Sequence, residues 1–476
     1  MRLLTDGQGK GGGGMAPKFG TSGLRGLVSD LSDDLITTYI RAFALACDHG
    51  GRVWLGWDLR PSSPRIAEVV ARAAQAAGVA VIRAGAVPTP ALALAAQEAG
   101  AVMVTGSHIP ADRNGLKFYT RQGELTKTGE AALTAALGCP LPALPPGGIT
   151  EDTGVGARFL ARYHRAFGSG VLRGRRIGVY AQSAVGRDLL AEMLAALGAE
   201  VLPLGRSTDF VPLDTEAVDP ATRAQLKAWA MRHRLDAIAA TDGDSDRPLL
   251  SDETGQLIPG DLLGQITAET LGAETVVTPV SSNSGVLAKP CFERIIRTQI
   301  GSPHVIAGMA QGAGRVLGYE ANGGVLLGFA AQGPAGPLPP LWTRDAFLPI
   351  LTVLVAAGAA PLSVRVAREP GRFTAKGRLE RIPPAPMQRL MADLAGDRAA
   401  RAGFLAALGL SETGLDLTDG VRMLLRDGEV VHVRASGNAP ELRLYTEATS
   451  PRAADSLLAA GLAELSQRLA SPGPGR

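Results

Sequence analysis

The chain has 476 residues, of which 46% are hydrophobic and 20% are charged, a composition that excludes an intrinsically disordered protein. At about 100 to 200 residues per domain, this length predicts roughly three or four globular domains. The net charge is only +3 and there is no Lys/Arg-rich run, so we expect no nucleic-acid partner.

The beginning of the chain predicts a flexible extension and then a loop suited to contact phosphate. Residues 1–15 contain a run of glycines and no apolar stretch of the signal-peptide type, so we expect no secretion signal. Residues 18–26 are glycine-rich and bracketed by cations, one of them Arg25. Glycine lets the backbone approach a phosphate closely, although this spacing is not that of a Walker loop and does not identify a site by itself.

Three segments of the chain share a strand–helix–strand pattern of about 30 residues, the length of a right-handed parallel crossover. The predicted strand, helix and strand are residues 53–56, 64–77 and 79–82 in the first segment, 177–180, 185–197 and 201–204 in the second, and 275–280, 285–294 and 295–300 in the third. Repetition of one pattern predicts three related α/β domains.

Each segment is followed by one more short apolar strand that ends in a loop with polar side chains. The strands are residues 101–104, 235–240 and 314–317, and the loops are residues 105–110, 242–247 and 318–324. Ligands of open α/β sheets bind beyond the carboxyl ends of the strands. We therefore expect the three loops to converge on one cleft.

The first loop offers a candidate nucleophile, Ser107, between Gly106 and His108. No Ser-His-Asp triad follows, because sequence neighbours usually diverge and the G-x-S-x-G elbow is absent. A turn serine that satisfies local backbone amides is an equally good interpretation. Downstream, Lys117 is a candidate anion contact, or a proton acceptor if its pKa is depressed; the alternative is a solvated lysine.

The second loop predicts a metal site, because Asp242, Asp244 and Asp246 alternate along it before Arg247. Alternate residues of an extended loop can direct three carboxylates at one centre, and Mg²⁺ prefers oxygen ligands. A calcium EF-hand is excluded, because Arg247 stands where that loop needs glycine and a strand precedes it. A solvated acidic turn capped by Arg247 is the alternative.

The third loop and a later one carry hydrogen-bonding groups. Glu320 and Asn322 lie in a glycine-rich turn and are suited to bind vicinal hydroxyls, unless the turn is an ordinary tight one. The later loop combines cations, a hydroxyl and an amide and predicts a phosphate cradle, with a surface turn as the alternative. Its candidate residues are Arg434, Ser436, Gly437, Asn438 and Arg443.

The remaining segments complete the predicted organisation. Residues 346–364 are uncharged, but Pro349 and Pro361 favour a buried core helix over a membrane span. From about residue 366 the pattern changes to short strands, such as 430–433 and 442–445, and a closing helix at 451–469, which predicts an α+β domain. Pro/Gly-rich linkers are expected at 140–148 and, as a long loop, at 333–340.

The cysteines predict the compartment. Cys47, Cys139 and Cys291 are odd in number, far apart and in no metal-type spacing. We therefore expect a reducing, cytoplasmic environment.

Together and in this order, the loops resemble those of the α-D-phosphohexomutases, the phosphomannomutase/phosphoglucomutase superfamily, from residue 19 to about residue 447. The serine loop of that family, T-x-S-H-N-P, is matched by residues 105–110 except that Ile109 replaces asparagine. Its metal loop, D-G-D-x-D-R, is matched in full by residues 242–247.

Two further motifs of the resemblance are matched with departures. The sugar loop G-E-x-S-G corresponds to residues 319–323, where Glu320 is kept and Asn322 takes the serine position. The phosphate loop R-x-S-x-T-x-P corresponds to residues 434–440, where Asn438 takes the threonine position. An amide still donates a hydrogen bond to phosphate there.

The resemblance implies an α/β fold in which three related mixed-sheet α/β domains and a smaller C-terminal α+β domain surround a central cleft. The expected limits are residues 1–15 for the extension, 16–150 for the domain with the phosphoserine loop, 151–255 for the metal loop, 256–365 for the sugar loop and 366–476 for the phosphate loop.

The implied mechanism begins with phosphorylated Ser107. Its phosphoryl group, held by Mg²⁺ on Asp242, Asp244 and Asp246 and on an oxygen of the Ser107 phosphate, passes to a hexose phosphate. The hexose 1,6-bisphosphate then reorients and returns its other phosphate to Ser107.

The resemblance also implies roles for the surrounding residues. Cations near the transferred group neutralise charge on its oxygens, and Lys117 and His108 are both left as candidates for the general acid or base. The implied assignments are Arg25, Arg247 and Lys117 for the transferred phosphoryl group, Glu320 and Asn322 for the sugar hydroxyls, His304 for the cleft wall, and Arg434, Ser436, Gly437, Asn438 and Arg443 for the other phosphate.

The expected function is interconversion of mannose 1-phosphate and mannose 6-phosphate, with glucose phosphates as further substrates. The alternatives are a phosphoglucomutase, a phosphoglucosamine mutase (less favoured because the sugar loop departs from G-E-x-S-G-H), a phosphatase, and a non-catalytic sugar-phosphate-binding relative. We expect a monomer or homodimer without a membrane partner.

Overall fold

A computed structural model describes residues 17–20, 23–436 and 440–470. The predicted extension at 1–15 lies outside these residues, as do Gly437 and Asn438 of the predicted phosphate loop. The described residues form four main sheets, each of which we take as the centre of one domain, and one separate two-stranded hairpin.

The first sheet is mixed. Its elements are β1 (Lys18–Phe19), β2 (Leu24–Leu27), α1 (Asp33–Ala46), β3 (Arg52–Trp57), α2 (Ser63–Ala76), β4 (Ala80–Ala86), α3 (Thr89–Ala95), β5 (Gly100–Val104), β6 (Arg113–Thr120), β7 (Gly123–Glu124), α4 (Lys127–Ala135) and β8 (Ile149–Glu151). The strand order is β1-β2-β6-β5-β3-β4-β8, and β7 pairs with β6. Strands β3, β4, β5 and β8 are parallel, whereas β6 runs antiparallel to β5.

The second and third sheets are smaller. The second domain contains α5 (Val155–Phe167), β9 (Arg176–Tyr180), α6 (Arg187–Ala196), β10 (Glu200–Leu204), α7 (Pro220–His233), β11 (Ala237–Thr241) and β12 (Pro248–Ser251). The third contains α8 (Gly260–Thr270), β13 (Thr275–Pro279), β14 (Arg294–Thr298), α9 (Ser302–Met309), β15 (Val316–Tyr319), β16 (Val325–Leu327), β17 (Ala331–Gln332), β18 (Pro337–Leu338), β19 (Leu341–Asp345), α10 (Phe347–Ala357) and α11 (Leu362–Val366). Their strand orders are β10-β9-β11-β12 and β14-β13-β15-β16-β19.

One four-strand pattern recurs in these three sheets. A central strand lies between two parallel neighbours, and the second neighbour pairs with an antiparallel strand that follows it in sequence: β4-β3-β5-β6, β10-β9-β11-β12 and β14-β13-β15-β16. The predicted repeat is confirmed. The three polar loops therefore occupy the same topological position, between the third parallel strand and its antiparallel partner.

One local prediction in the third domain is wrong. Residues 285–294 do not form a helix of that length but a single 3₁₀ turn at Ser284–Ala288, after which Lys289 is extended with φ −88° and ψ 111°. Pro290 explains this, because proline disfavours the helical conformation of the preceding residue and lacks an N–H. Most of the predicted loop at 333–340 has no regular structure; it contains the turn of the β17–β18 hairpin and the two residues of β18.

The fourth sheet is entirely antiparallel. Its domain contains β20 (Phe373–Leu379), α12 (Pro384–Gly396), α13 (Arg398–Ala407), β21 (Gly414–Asp416), β22 (Val421–Leu424), β23 (Val430–Ala435), β24 (Leu442–Ala448) and α14 (Pro451–Ala470). The strand order is β20-β24-β23-β22-β21. The predicted fold class, three mixed-sheet α/β domains and a smaller α+β domain, is confirmed.

One large hydrophobic cluster spans the first three domains, which also have smaller clusters of their own, whereas the core of the fourth domain is separate. Helix α10 is buried along nearly its whole length, as predicted for residues 346–364, and Phe347 packs against Phe159 of the second domain with ring centroids 5.2 Å apart. The same cluster includes Leu92 and Met103 of the first domain. Phe404 belongs to a separate cluster in the fourth domain. Within the described residues, no helix is both long and apolar enough to span a membrane.

Two matched core substitutions test this division. Phe347→Ala and Phe404→Ala both remove a fully buried ring, and each should cost about 3–5 kcal/mol. Scanning calorimetry should show Phe347→Ala lowering the transition of the first three domains and Phe404→Ala lowering a different one. Equal shifts of one common transition in both variants would contradict the separation of the fourth-domain core from the cluster that the other three domains share.

Candidate active site

Three loops from three domains meet through buried polar contacts. Ser107 Oγ donates a hydrogen bond to Asp242 Oδ2 at 2.6 Å. Lys117 Nζ donates to Asp244 Oδ2 at 2.5 Å and to Asp246 Oδ2 at 2.6 Å. These contacts bring the serine loop and β6 of the first domain against the metal loop of the second.

Arg344 extends the cluster to the third domain. It lies at the end of β19, is 2% exposed, and donates to Asp246 Oδ2 at 2.7 Å and to Glu320 Oε2 at 2.8 Å. A single guanidinium therefore joins the predicted metal loop to the predicted sugar loop.

The serine loop is held in an unusual conformation. Ser107 is fully buried and has φ +54°, in the left-handed region that non-glycine residues seldom adopt. Its N–H donates to Thr105 Oγ1 at 2.7 Å, and Thr105 Oγ1 donates to Asp58 Oδ2 at 2.7 Å. These side-chain bonds from the end of β3 stabilise the strained turn.

Arg60 fixes the rest of this loop by binding the carbonyl oxygens of the loop backbone. Its guanidinium donates to the carbonyl oxygens of Ser107 (2.8 Å), Ile109 (2.6 Å), Pro110 (2.7 Å) and Arg113 (3.1 Å) and to Asp58 Oδ2 (3.1 Å). A Cβ on Gly106 would lie 2.6 Å from Arg60 Cζ, so only glycine fits there.

The three aspartates fit a divalent cation. One carboxylate oxygen from each lies within 4.8 Å of the others, and all three residues are buried. Lys117 and Arg344 engage Oδ2 atoms, while Asp244 Oδ1 and Asp246 Oδ1 are buried with no hydrogen-bond partner among the described residues. Because an unsatisfied buried carboxylate oxygen is costly, a bound cation would satisfy both atoms.

The protonation states in the cluster differ strongly from residue to residue. Burial, followed by the charges of Asp244 and Asp246, raises the pKa of Asp242 well above its usual value. Burial opposes ionisation of Asp246 too, but Arg344 and Lys117 outweigh it and hold that pKa below its usual value.

Lys117 and His108 are perturbed in opposite directions. Burial disfavours the Lys117 ammonium, but Asp244 and Asp246 overcome this and raise its pKa. Burial, then Arg247 and Arg25, lowers the pKa of His108 well below its usual value. At neutral pH Lys117 is therefore a cation, and His108 is a neutral imidazole whose Nδ1 lies 3.3 Å from Ser107 Oγ.

Arg25 and Arg247 supply further positive charge beside the cluster. Burial, then Arg247, lowers the pKa of Arg25 to about 10, which leaves it protonated at neutral pH. Arg247 Nε lies 3.8 Å from Asp246 Oδ1 and is buried without a hydrogen-bond partner among the residues that the structure describes. This cation is suited to receive an anionic ligand.

The predicted sugar loop is a tight turn. Glu320 and Asn322 are each 5% exposed, Asn322 Oδ1 accepts a bond from the Gly324 N–H at 2.9 Å, and Gly323 has φ +86°. The asparagine amide group thus shapes the turn that presents Glu320.

The residues predicted to bind the second phosphate lie in the fourth domain. Arg434 and Arg443 are directly opposite each other on β23 and β24, where each is paired with a carboxylate, Asp419 at 2.8 Å and Glu441 at 3.2 Å. Ser436 follows β23. Burial, then the charge of Lys127, lowers the pKa of His304 on α9, and the nearby Ile300 N–H donates to Asp419 Oδ2 at 2.9 Å, so this segment contacts the fourth domain.

Several site residues were missed by the sequence analysis. Asp58 and Arg60 follow β3, so the strand-end argument that found Ser107 could also have found them. Thr89, whose hydroxyl donates to Asp244 Oδ2 at 2.5 Å, and Arg344 had no such signal, because their partners are distant in the sequence.

Comparison with known proteins gives consistent matches along the chain. Four models described as phosphoglucomutase/phosphomannomutase domains match it: alpha/beta/alpha domain I at residues 16–137, domain II at 161–255, domain III at 251–372 and the C-terminal domain at 378–464.

Similar full-length proteins include two bacterial phosphomannomutases. The one from Sinorhizobium fredii (strain NBRC 101917 / NGR234) is 43% identical, with 96% of this chain and 100% of the relative covered. The one from Salmonella muenchen is 39% identical, with 95% and 96% covered. A solved phosphoglucomutase/phosphomannomutase family protein from Burkholderia thailandensis shares the fold, with a TM-score of 0.75 at 21% identity and 96% and 98% of the two chains covered.

The bridging role of Arg344 can be tested by stability. Arg344→Met leaves buried Glu320 without its cation and Asp246 Oδ2 with Lys117 alone, and breaking such a buried pair should cost about 3–5 kcal/mol in urea unfolding. A saturating divalent cation should recover part of the loss, because it restores positive charge at Asp246.

The control for this experiment is Arg206→Met, which removes an arginine paired with Asp188 on the surface and should leave the free energy of unfolding nearly unchanged. Unfolding of Arg344→Met that matches the native protein would show that Arg344 does not stabilise the cluster.

Proposed function

This chain belongs to the phosphoglucomutase/phosphomannomutase family, and from that membership we propose that it interconverts mannose 1-phosphate and mannose 6-phosphate. The supporting observation is the hydrogen bond from the Ser107 hydroxyl to a buried aspartate triad that fits a divalent cation. Mannose is favoured over other hexoses because the two relatives described above are phosphomannomutases.

Ser107 is the proposed phosphoryl carrier. Asp242, Asp244 and Asp246 would hold Mg²⁺, which when bound supplies positive charge to a phosphoryl group on Ser107 Oγ. The loop conformation imposed by Arg60 keeps Oγ directed at Asp242, so the carrier is positioned before substrate arrives.

Among the residues around Ser107, some are suited to proton transfer and others to charge neutralisation. Neutral His108, beside Ser107 Oγ, is suited to accept the proton of the attacking hydroxyl and to deliver it to Ser107 Oγ as the phosphoryl group leaves that oxygen. Protonated Lys117, Arg25 and Arg247 are suited to neutralise the phosphoryl oxygens. This assignment favours His108 over Lys117 as the general base.

The other domains would hold the rest of the substrate. Glu320 and Asn322 are proposed to bind the sugar hydroxyls, and Arg434, Arg443 and Ser436, with His304 nearby, to bind the phosphate that is not transferred. A hexose 1,6-bisphosphate that reorients between these groups would present each end to Ser107 in turn. Cys47, Cys139 and Cys291 are free thiols, which supports a cytoplasmic location.

Turnover assays test the substrate. With Mg²⁺ and a trace of hexose 1,6-bisphosphate, mannose 1-phosphate should be converted to mannose 6-phosphate with a higher kcat/KM than glucose 1-phosphate or glucosamine 1-phosphate. Absence of a 6-phosphate product from all three would refute the mutase proposal, and preference for glucose would refute the assignment to mannose.

Ser107→Ala tests the carrier separately from the substrate. Loss of the nucleophile should reduce turnover by at least ~10³-fold, and incubation with hexose 1,6-bisphosphate should no longer add a phosphoryl mass to the chain. Ser29→Ala, at an exposed turn, should keep both turnover and phosphorylation. A phosphorylated, active Ser107→Ala protein would assign the carrier to another residue.

A further inference from the structure

One loop of the second domain reaches all three other domains at the candidate active site. This connecting loop, residues 205–219, joins β10 to α7. The Arg60 guanidinium lies over the ring of Phe210, 4.0 Å from its centroid. Thr215 Oγ1 lies 3.4 Å from the Asn322 carbonyl oxygen, and Glu216 Oε1 lies 3.0 Å from Lys376 Nζ. The loop thus contacts the support of the serine loop, the sugar loop and the fourth domain.

The backbone of the connecting loop is anchored on its own domain. Leu213 and Val218 are buried in the second-domain core, and the Glu216 N–H donates to Asp214 Oδ1 at 3.0 Å. The backbone on both sides of Glu216 is therefore fixed. Only its side chain needs to rotate for the carboxylate to leave Lys376, a motion on the picosecond to nanosecond scale.

Lys376 belongs to a basic face of the fourth sheet. It is two residues from Arg378 on β20, so both side chains lie on the same face. Arg378 is directly opposite Arg443, which is directly opposite Arg434. Like charges opposite each other across strands are destabilising. A bound anion would offset this repulsion.

Arg434, Arg443 and Lys376 each have a carboxylate partner, and the partner of Lys376 comes from another domain. Arg434 pairs with Asp419, and Arg443 with Glu441, all within the fourth domain. Glu216 also experiences the positive charges of Arg247 and Arg443, and together with Lys376 these hold its pKa below the usual value despite burial. Its carboxylate is thus an anion placed between the cations of the second and fourth domains.

We propose that Glu216 sets the affinity of this site for phosphate by competing with a phosphate dianion for Lys376. The inference rests on the proposed function, since it assigns the phosphate to a hexose phosphate. Phosphate carries more charge than a carboxylate and displaces it. When the phosphate leaves, Glu216 pairs with Lys376 again, so the bisphosphate can reorient without leaving that ammonium unpaired. Glu216 acts through Lys376 and is a positioning residue.

The test compares two substitutions that remove opposite ends of one ion pair. Binding of inorganic phosphate to the full-length, Mg²⁺-loaded protein is measured by calorimetry. Glu216→Gln should lower the Kd roughly two- to fivefold, and Lys376→Met should raise it by a similar factor, the range expected for a partly exposed ion pair. If the pair merely tied two domains together, both changes would shift the Kd in the same direction.

Two further variants serve as controls for this result. Glu216→Asp keeps the charge with a shorter reach and should give an intermediate Kd, which preserves the test if Glu216→Gln does not fold. Asp188→Asn removes an exposed carboxylate paired with Arg206 and should leave the Kd unchanged. Phosphate binding by Glu216→Gln that is equal to or weaker than native, or an unchanged Kd in Lys376→Met, would overturn the inference.

Turnover measured beside binding separates this inference from the proposed function. The KM for mannose 1-phosphate should fall in Glu216→Gln together with the Kd for phosphate. If the native protein has no mutase activity but the Kd for phosphate changes in the variants as described, only the proposed function is refuted. If the native protein is an active mutase but the Kd for phosphate does not change in the variants, only the role of Glu216 is refuted.

Discussion

The structure around Ser107 depends on the requirement that buried charges be paired. Asp242, Asp244, Asp246 and Glu320 are held together in the interior, where an unpaired carboxylate costs several kcal/mol. Lys117 from the first domain and Arg344 from the third supply the compensating charge. Because the acids and the cations come from different domains, the domains must be closely packed for any of these groups to be buried.

The shared core and the repeated topology meet that requirement. The same four-strand pattern places each functional loop between a parallel strand and its antiparallel partner, so the loops are presented in the same way by all three domains. One hydrophobic cluster joins these domains and fixes the distances between their loops. The fourth domain has a separate core, and it contacts the others through polar pairs such as Glu447 with the Ser284 N–H and Asp419 with the Ile300 N–H. Polar interfaces of this kind permit relative motion, which the proposed reorientation of the bisphosphate would require.

The sequence predicted those features that depend on local pattern. Strand runs, crossover lengths and polar residues at strand ends identified the three repeats and the loops of Ser107, Asp242 and Glu320. The prediction was wrong at 285–294, where apolar spacing was given more weight than Pro290. Arg344 was missed because nothing near it in the sequence shows that its partners are Asp246, almost a hundred residues away, and Glu320. Contacts between domains depend on how the domains pack, which no short-range pattern encodes.

Two motif departures, Ile109 and Asn322, fall where backbone contacts determine the geometry. Ile109 replaces the asparagine of the serine motif, yet it contributes its carbonyl oxygen to Arg60, a contact that any residue can make. Asn322 replaces the serine of the sugar motif, and its Oδ1 accepts the Gly324 N–H, a bond that a serine oxygen could also accept. The asparagine amide adds a donor, with Nδ2 3.4 Å from Glu320 Oε2. Arg344 donates to the same carboxylate oxygen, so the orientation of Glu320 is set from two sides. Substitution at this position therefore acts first on the orientation of Glu320, the residue that we propose for sugar recognition.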